Sequence, residues 1–326
     1  MTPPHRRALI CGISGQDAAY LARILLCEGF EVHGTTRDAS QDFWRLKSLG
    51  IKDKICIHEA RLEDLGEVVM LLDATNPSEV YALSAQSSVM RSFDLPLETI
   101  CASQCPVVNL LEAIRRGNTL IRFFSASSSE CFGNRSEAIR EDTLFDPGNP
   151  YGIAKAANAW FVRLYRRAYG LHASTGYLFN HESPLRSPQF VSRKITDAVD
   201  RLAQGDREPL RLGDLSVERD WGWAPEYAAC IRRMLIMAEP ADFVIATGQP
   251  ISLEAFVEAA YEEAGYDWRE FVKVDRSLFR PTESRRIWGD PTSARNLIGW
   301  EASLVGKEVA RQMVRAAAAS RMKVEI

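Results

Sequence analysis

The sequence predicts an α/β fold: a Rossmann-like, doubly wound parallel sheet followed by a smaller C-terminal α/β domain. Through the first half, short β-rich apolar runs alternate with longer helical patterns, as in parallel strands wound with crossover helices. The first apolar run passes through a glycine-bearing turn, Gly12-Ile-Ser-Gly15, into a helical pattern. With 326 residues, 46% hydrophobic and 25% charged, the chain can bury a large core in one domain or two closely joined ones.

In chain order, strands are expected at 8–11 (Ala-Leu-Ile-Cys), 31–35, 55–58, 80–82, 121–125 (Ile-Arg-Phe-Phe-Ser) and 173–178. Helices fill the intervals at 16–28, 65–74, 97–116 and 151–169. Beyond Phe179, proline and arginine punctuate the pattern, and helices are expected at 190–203, 225–237 and 253–264. The division that follows is 1–178 for the nucleotide-binding half, with a return to it around 215–247, and 179–326 mainly for a ligand-holding half. The Arg- and Ala-rich tail reads as a solvated final helix. No internal repeat or low-complexity tract is visible.

The formal net charge of -3 argues against a nucleic-acid partner, whose affinity would come from clustered Lys and Arg. The seven cysteines are odd in number and scattered, with no CxxC pair and no matching histidine cluster. They read as reduced thiols, so neither disulfides nor a metal site is expected. No run approaches the ~18 apolar residues of a membrane span, and the expected location is the cytoplasm.

Gly12 and Gly15 let the main chain approach a pyrophosphate, with the N–H groups of the following helix facing it. The usual third glycine is Ala18, and an ordinary glycine turn is the plainer reading of the segment alone. The second strand exits as Gly34-Thr-Thr-Arg37. Arg37 can pair with a ribose 2′-phosphate, which favours NADP over NAD, or it is a solvated loop arginine. Tyr151 and Lys155 stand four residues apart on one helix face, where an ammonium can lower a phenol's pKa from its ordinary ~10. Ser125-Ala-Ser-Ser-Ser-Glu130 closes the fifth strand at the sheet's ligand edge. Glu130 would put a carboxylate beside the reacting carbon.

With Ser127-Ser-Ser-Glu130 and the Tyr151/Lys155 pair, the chain resembles the GDP-mannose 4,6-dehydratases over nearly its whole length. Further matching segments are Gly12-Ile-Ser-Gly-Gln-Asp17, Leu178-Phe-Asn-His-Glu-Ser-Pro184, Val191-Ser-Arg-Lys194, Arg219-Asp-Trp-Gly222 and Arg280-Pro-Thr-Glu283. The resemblance implies a redox-neutral cycle on a nucleotide sugar. Tyr151, aided by Lys155 and Ser128, takes the C4 hydroxyl proton as hydride leaves for NADP. Glu130 abstracts the C5 proton, the C6 hydroxyl departs as water, and hydride returns to C6. Gly12, Ser14, Gly15, Gln16, Asp17, Arg37, Leu83, Ala85, Tyr151 and Lys155 are thereby expected at the cofactor. Ser88, Asn180, Glu182, Lys194, Arg219, Arg280 and Glu283 are expected at the substrate, against the alternative of structural ion pairs such as Arg219 with Asp220. A homodimer or homotetramer is implied as well.

Several positions depart from the family's usual text. An acid expected after the third strand is Arg61, the active-site threonine is Ser128, and Cys101-Ala-Ser-Gln-Cys-Pro106 replaces a Gly-containing helix start. The loop after the second strand, Arg37-Asp38, alters a charge tied to tetramer contacts. A reductase or epimerase of a related 4-keto nucleotide sugar, a dehydratase of another GDP-hexose or GDP-heptose, and a non-enzymatic cofactor-binding regulator remain as alternatives.

Overall fold

A computed structural model describes residues 6–279, 282 and 284–324, with side chains to 319. Its first half runs β1 (Arg7–Cys11), α1 (Gln16–Cys27), β2 (Glu31–Thr36), α2 (Trp44–Ser48), β3 (Ile55–Glu59), α3 (Leu65–Thr75), β4 (Glu79–Ala82), α4 (Val89–Asp94), α5 (Pro96–Arg116), β5 (Arg122–Ser128), α6 (Pro150–Tyr169) and β6 (Ala173–Leu178). The second half continues with β7 (Asn180–Glu182), α7 (Val191–Ala203), β8 (Leu210–Leu212), β9 (Glu218–Trp223), α8 (Ala224–Leu235), β10 (Phe243–Ile245), β11 (Pro250–Ser252), α9 (Leu253–Glu263), β12 (Val272–Val274), β13 (Arg286–Ile287), α10 (Thr292–Ile298) and α11 (Lys307–Val324).

Seven parallel strands form the main sheet in the order β10-β6-β5-β4-β1-β2-β3. Helices cover both faces, so β4 and β6 are buried along their entire lengths, the polar Glu79, Ser174 and Thr175 included. The chain order reverses between β1 and β4, opening a crevice at the carboxyl ends of those strands. The later segment β10 joins this sheet beside β6, and α8 packs on α1.

The remaining strands build small satellites. β9 pairs with β11, β13 and β7, while β8 pairs with β12. A second core gathers Ile195, Trp221, Phe256, Tyr261 and Met313 beneath α7, α9 and α11. The tail is therefore more than a solvated helix: Val309, Ala310, Met313 and Val314 are buried in this core, and only the opposite face carries the charges. Cys101-Ala-Ser-Gln-Cys-Pro106 lies in the first half of α5, within the helix expected at 97–116.

One buried ion cluster ties the layers together. Arg232 of α8 reaches Glu79 of β4 at 3.0 Å and Glu28 at the end of α1 at 2.7 Å, and also meets the Tyr81 hydroxyl. Arg232→Met is expected to lower stability by about 3–5 kcal/mol, because Glu79 is left buried and unpaired. Urea unfolding measures this loss, and adding Glu79→Gln should recover most of it.

Candidate active site

The turn after β1 has the form a pyrophosphate cradle needs. Gly12 sits at φ +85°, and a Cβ there would lie 2.8 Å from the Ser84 Cα, so only glycine fits. Gly15 caps α1 without a side chain, which leaves the first-turn N–H groups and the positive helix end free for an anion. Ala18, in the place of the third glycine, is fully buried.

Side chains of this first turn reach across to β7. Gln16 donates to the His181 carbonyl at 3.2 Å and accepts from the Ser183 hydroxyl at 2.8 Å. Asp17 meets His181 Nε2 at 3.0 Å. Burial opposes the Asp17 charge, but His181, Gln16 and Arg186 outweigh it and pull the carboxyl down to about 2. Arg45 braces the turn from α2, donating to the carbonyls of Ser14 and Leu185. Arg37 stands exposed just past β2, and Arg61 is exposed beyond the neighbouring β3.

The catalytic candidates converge from two elements. Ser128 ends β5, and its hydroxyl accepts from the Glu130 N–H at 3.2 Å. The Glu130 carboxylate accepts from Asn149 Nδ2 at 2.8 Å. Asn149 also caps α6, where its Oδ1 accepts from Gly152 N–H at 2.8 Å. A Cβ on Gly152 would come within 2.4 Å of the Glu130 carbonyl, so this glycine lets the start of α6 press against the 128–130 turn. Tyr151 and Lys155 follow on the buried face of α6.

Their protonation differs from the sequence expectation. Burial pushes the Tyr151 phenol up, and its bond with Ser128 offsets only part of this. Lys155 does not bring the phenol down: its ammonium lies 5.8 Å from the Tyr151 ring centroid and donates to the Ala126 carbonyl at 2.7 Å. Lys155 is itself pushed down to about 8 by burial. In a dry site both groups favour their neutral forms.

A cavity of about 640 Å³ joins these groups. Gly15, Gln16, Asp17, Leu83, Ala85, Ser88, Ser128, Glu130, Tyr151 and Lys155 line it from the main-sheet side, and Asn180, Glu182, Lys194 and Arg219 from the other. Gly12, Ser14 and Arg37 are outside its wall. Glu182 is fully buried, accepts from the Ser192 hydroxyl, and pairs with Arg186 at 3.2 Å. The Arg219–Asp220 ion pair considered from sequence is not the arrangement found. Arg219 donates to the carbonyls of Glu218 and Ser284, while Asp220 accepts the N–H groups of Thr247, Gly248 and Gly289. Arg280 and Glu283 lie outside the described residues.

The family model described as GDP-mannose 4,6 dehydratase matches residues 9–313. The chain belongs to the GDP-mannose 4,6-dehydratase family. It is 40% identical over 334 residues to the GDP-mannose 4,6-dehydratase of Sinorhizobium fredii strain HH103, covering 94% of this chain and 95% of that one. It is 37% identical over 322 residues to GDP-mannose 4,6 dehydratase 1 of Arabidopsis thaliana, covering 95% and 89%. Its fold is shared with the crystal structure of dTDP-glucose 4,6-dehydratase from Bacillus anthracis strain Ames in complex with NAD, at a TM-score of 0.83, 16% identity and coverage of 97% and 98%.

Three residues without a motif of their own also stand at the cavity or its cradle in this member of the dehydratase family. Asn149 had no motif of its own beyond an Asn-Pro helix start. Arg186, which lines the cavity and stacks on Phe190 at 3.7 Å, sits just after the segment that carried the resemblance. Arg45 belongs to a five-residue helix too short to show periodicity.

Burial holds Lys155 below its ordinary 10.5, so its charge costs stability in full below about pH 8, and the cost fades as pH rises to about 10.5. Lys155→Met is therefore expected to gain about 1–2 kcal/mol at pH 7 after losing the Ala126 hydrogen bond. Urea unfolding at pH 7 and pH 10 should show the gain shrinking at the higher pH. Turnover should fall at least about 100-fold.

Proposed function

We propose that this chain is a 4,6-dehydratase of GDP-mannose that works with bound NADP and releases a GDP-4-keto-6-deoxymannose. The observation that carries the reading is the single cavity in which Glu130 joins Ser128, Tyr151 and Lys155. A reductase needs the last three, but its reaction leaves the C5 proton in place and has no work for the carboxylate. Family membership supports the same substrate.

A nicotinamide cofactor fits the cradle, given Gly12's close approach to Ser84 and the uncapped N-terminus of α1. The NAD named with the Bacillus anthracis neighbour supports that class. Exposed Arg37 and Arg61 at the ends of adjacent strands favour a 2′-phosphate, hence NADP. Bound there, the oxidised nicotinamide would supply a positive charge and a reversible hydride acceptor facing the sugar.

The protein's own groups move the protons. Tyr151 accepts the C4 hydroxyl proton, with Ser128 bonding the same oxygen and Lys155 behind it. The resulting 4-ketone acidifies C5–H, and Glu130, aimed by Asn149, takes that proton and passes it to the departing C6 hydroxyl, which leaves as water. As hydride reaches C6, the proton Tyr151 took from the C4 hydroxyl is returned at C5. Asn180, Lys194, Arg219 and Arg186 would hold the sugar diphosphate, with Ser88 at the sugar. Glu182, committed to Ser192 and Arg186, acts by holding Arg186 toward the cavity. In this reading 1–178 is the cofactor half, with its return through 215–247, and 179–326 is mainly the substrate half. Exposed Ile153, Trp160 and Leu164 along α6 support assembly with a second copy, as a homodimer or homotetramer.

Purified protein given GDP-mannose and a trace of NADP, with no reductant, should yield a nucleotide sugar lighter by one water without net NADPH. Steady NADPH consumption on a 4-keto sugar would instead identify a reductase. Glu130→Gln should bind NADP normally and lose about 10²–10⁴-fold in water elimination. Arg37→Ala should weaken NADP more than NAD; equal weakening makes Arg37 a bystander.

A further inference from the structure

At the sheet edge formed by β2 and β3, four side chains meet that the proposed chemistry does not use. Side chains alternate along a strand, so Glu31 and His33 share one face of β2. The parallel register sets His33 opposite Cys56 and Thr35 opposite His58. A Glu31 carboxylate oxygen, a His33 ring nitrogen and the Cys56 sulfur lie within 4.8 Å of one another.

His33 is buried, at 7% exposure. Its Nδ1 stands 2.9 Å from His58 Nε2, and the two rings stack at 5.1 Å. Its Nε2 is buried and makes no hydrogen bond, although Glu31 Oε1 lies 3.2 Å away. Arg7 takes the other Glu31 oxygen at 2.9 Å. When His33 donates its Nδ1 proton to His58, the Nε2 lone pair faces a carboxylate and a sulfur. A buried nitrogen left in that state is costly, and a shared cation would satisfy all three groups.

We propose that Glu31, His33 and Cys56 form a binding site for a divalent transition cation of the zinc type, with His58 orienting His33 from behind. One oxygen, one nitrogen and one sulfur suit zinc far better than magnesium or calcium. Cys56 releases its thiol proton to solvent as the ion binds, and water completes the coordination. The ion links the first half of β2 to β3, whereas Arg37 and the cofactor crevice lie at the other end of these strands. It serves as a staple for an edge strand and takes no part in turnover. Sequence spacing concealed it, because Glu-x-His and Cys-x-His are 23 residues apart and only strand pairing brings them together.

The test uses untagged full-length protein, stripped with a chelator and titrated with Zn²⁺ and with Co²⁺, beside Cys56→Ser, His33→Gln and His58→Gln. One equivalent of Zn²⁺ per chain, a raised thermal midpoint and a thiolate-to-cobalt charge-transfer band are expected. Cys56→Ser should abolish the band; Cys56 is exposed, so this change leaves the core intact, which circular dichroism verifies. His58→Gln should keep the stoichiometry and weaken affinity roughly 10–100-fold. No binding by the parent protein overturns the proposal. So does an equivalent that survives both Cys56→Ser and His33→Gln, since that ion is held elsewhere, for instance by Cys101 and Cys105.

Discussion

The relative position of the phosphate cradle and the substrate strand rests on the contact between the first turn of α1 and β7. Gln16 uses both ends of its amide on His181 and Ser183, and Asp17 closes on the His181 ring, which stacks in turn on Tyr227 at 4.7 Å. These partners are more than 160 residues apart in the chain, so the bond set fixes one half of the molecule against the other. Holding a cofactor and a sugar in register is worth much of a catalytic barrier when the reacting atoms must meet within about 3–3.5 Å. Loss of one partner would leave a largely buried charge uncompensated, so the strut behaves as a unit.

The same dryness governs the proton chemistry. Burial disfavours whichever form is charged, and both Tyr151 and Lys155 follow that rule. Charges that persist in the cavity wall arrive with partners: Asp17 with His181, and Glu182 with Arg186. The cavity thus holds paired ions along its binding walls, while burial weighs against the charged forms of Tyr151 and Lys155. A site of this kind awaits an incoming charge before its phenol can act as a base.

The first half of the fold was legible because its strands, the edge strand β3 excepted, are buried on both faces, and apolar runs such as Phe123–Phe124 survive any choice of neighbours. The convergence of Ser128, Glu130, Tyr151 and Lys155 on one cavity was legible for a related reason: one strand end and one helix face fix their spacing. The short strands after β6 were not, since β7, β8, β10, β11 and β12 have three residues each, too few for alternation to register. Asn149, Arg45 and Arg186 were missed because their roles depend on tertiary approach. The lowering of Tyr151 expected from Lys155 failed because four residues of helix give proximity without saying which acceptor the ammonium will choose.

Asp220 has a consequence for how this protein can change over generations. Its two oxygens gather N–H groups from two distant stretches of chain, and those donors belong to the main chain. The bonds themselves ask of each donor position only that it not be proline. The acceptor has no such freedom, because asparagine would turn an amide N–H toward one set of donors. Heritable variation around this joint is thus narrow: Asp220 is held by its chemistry, and two of its donors by space, since Gly248 sits at φ +80° and a Cβ on Gly289 would come within 2.5 Å of the Ala246 Cβ.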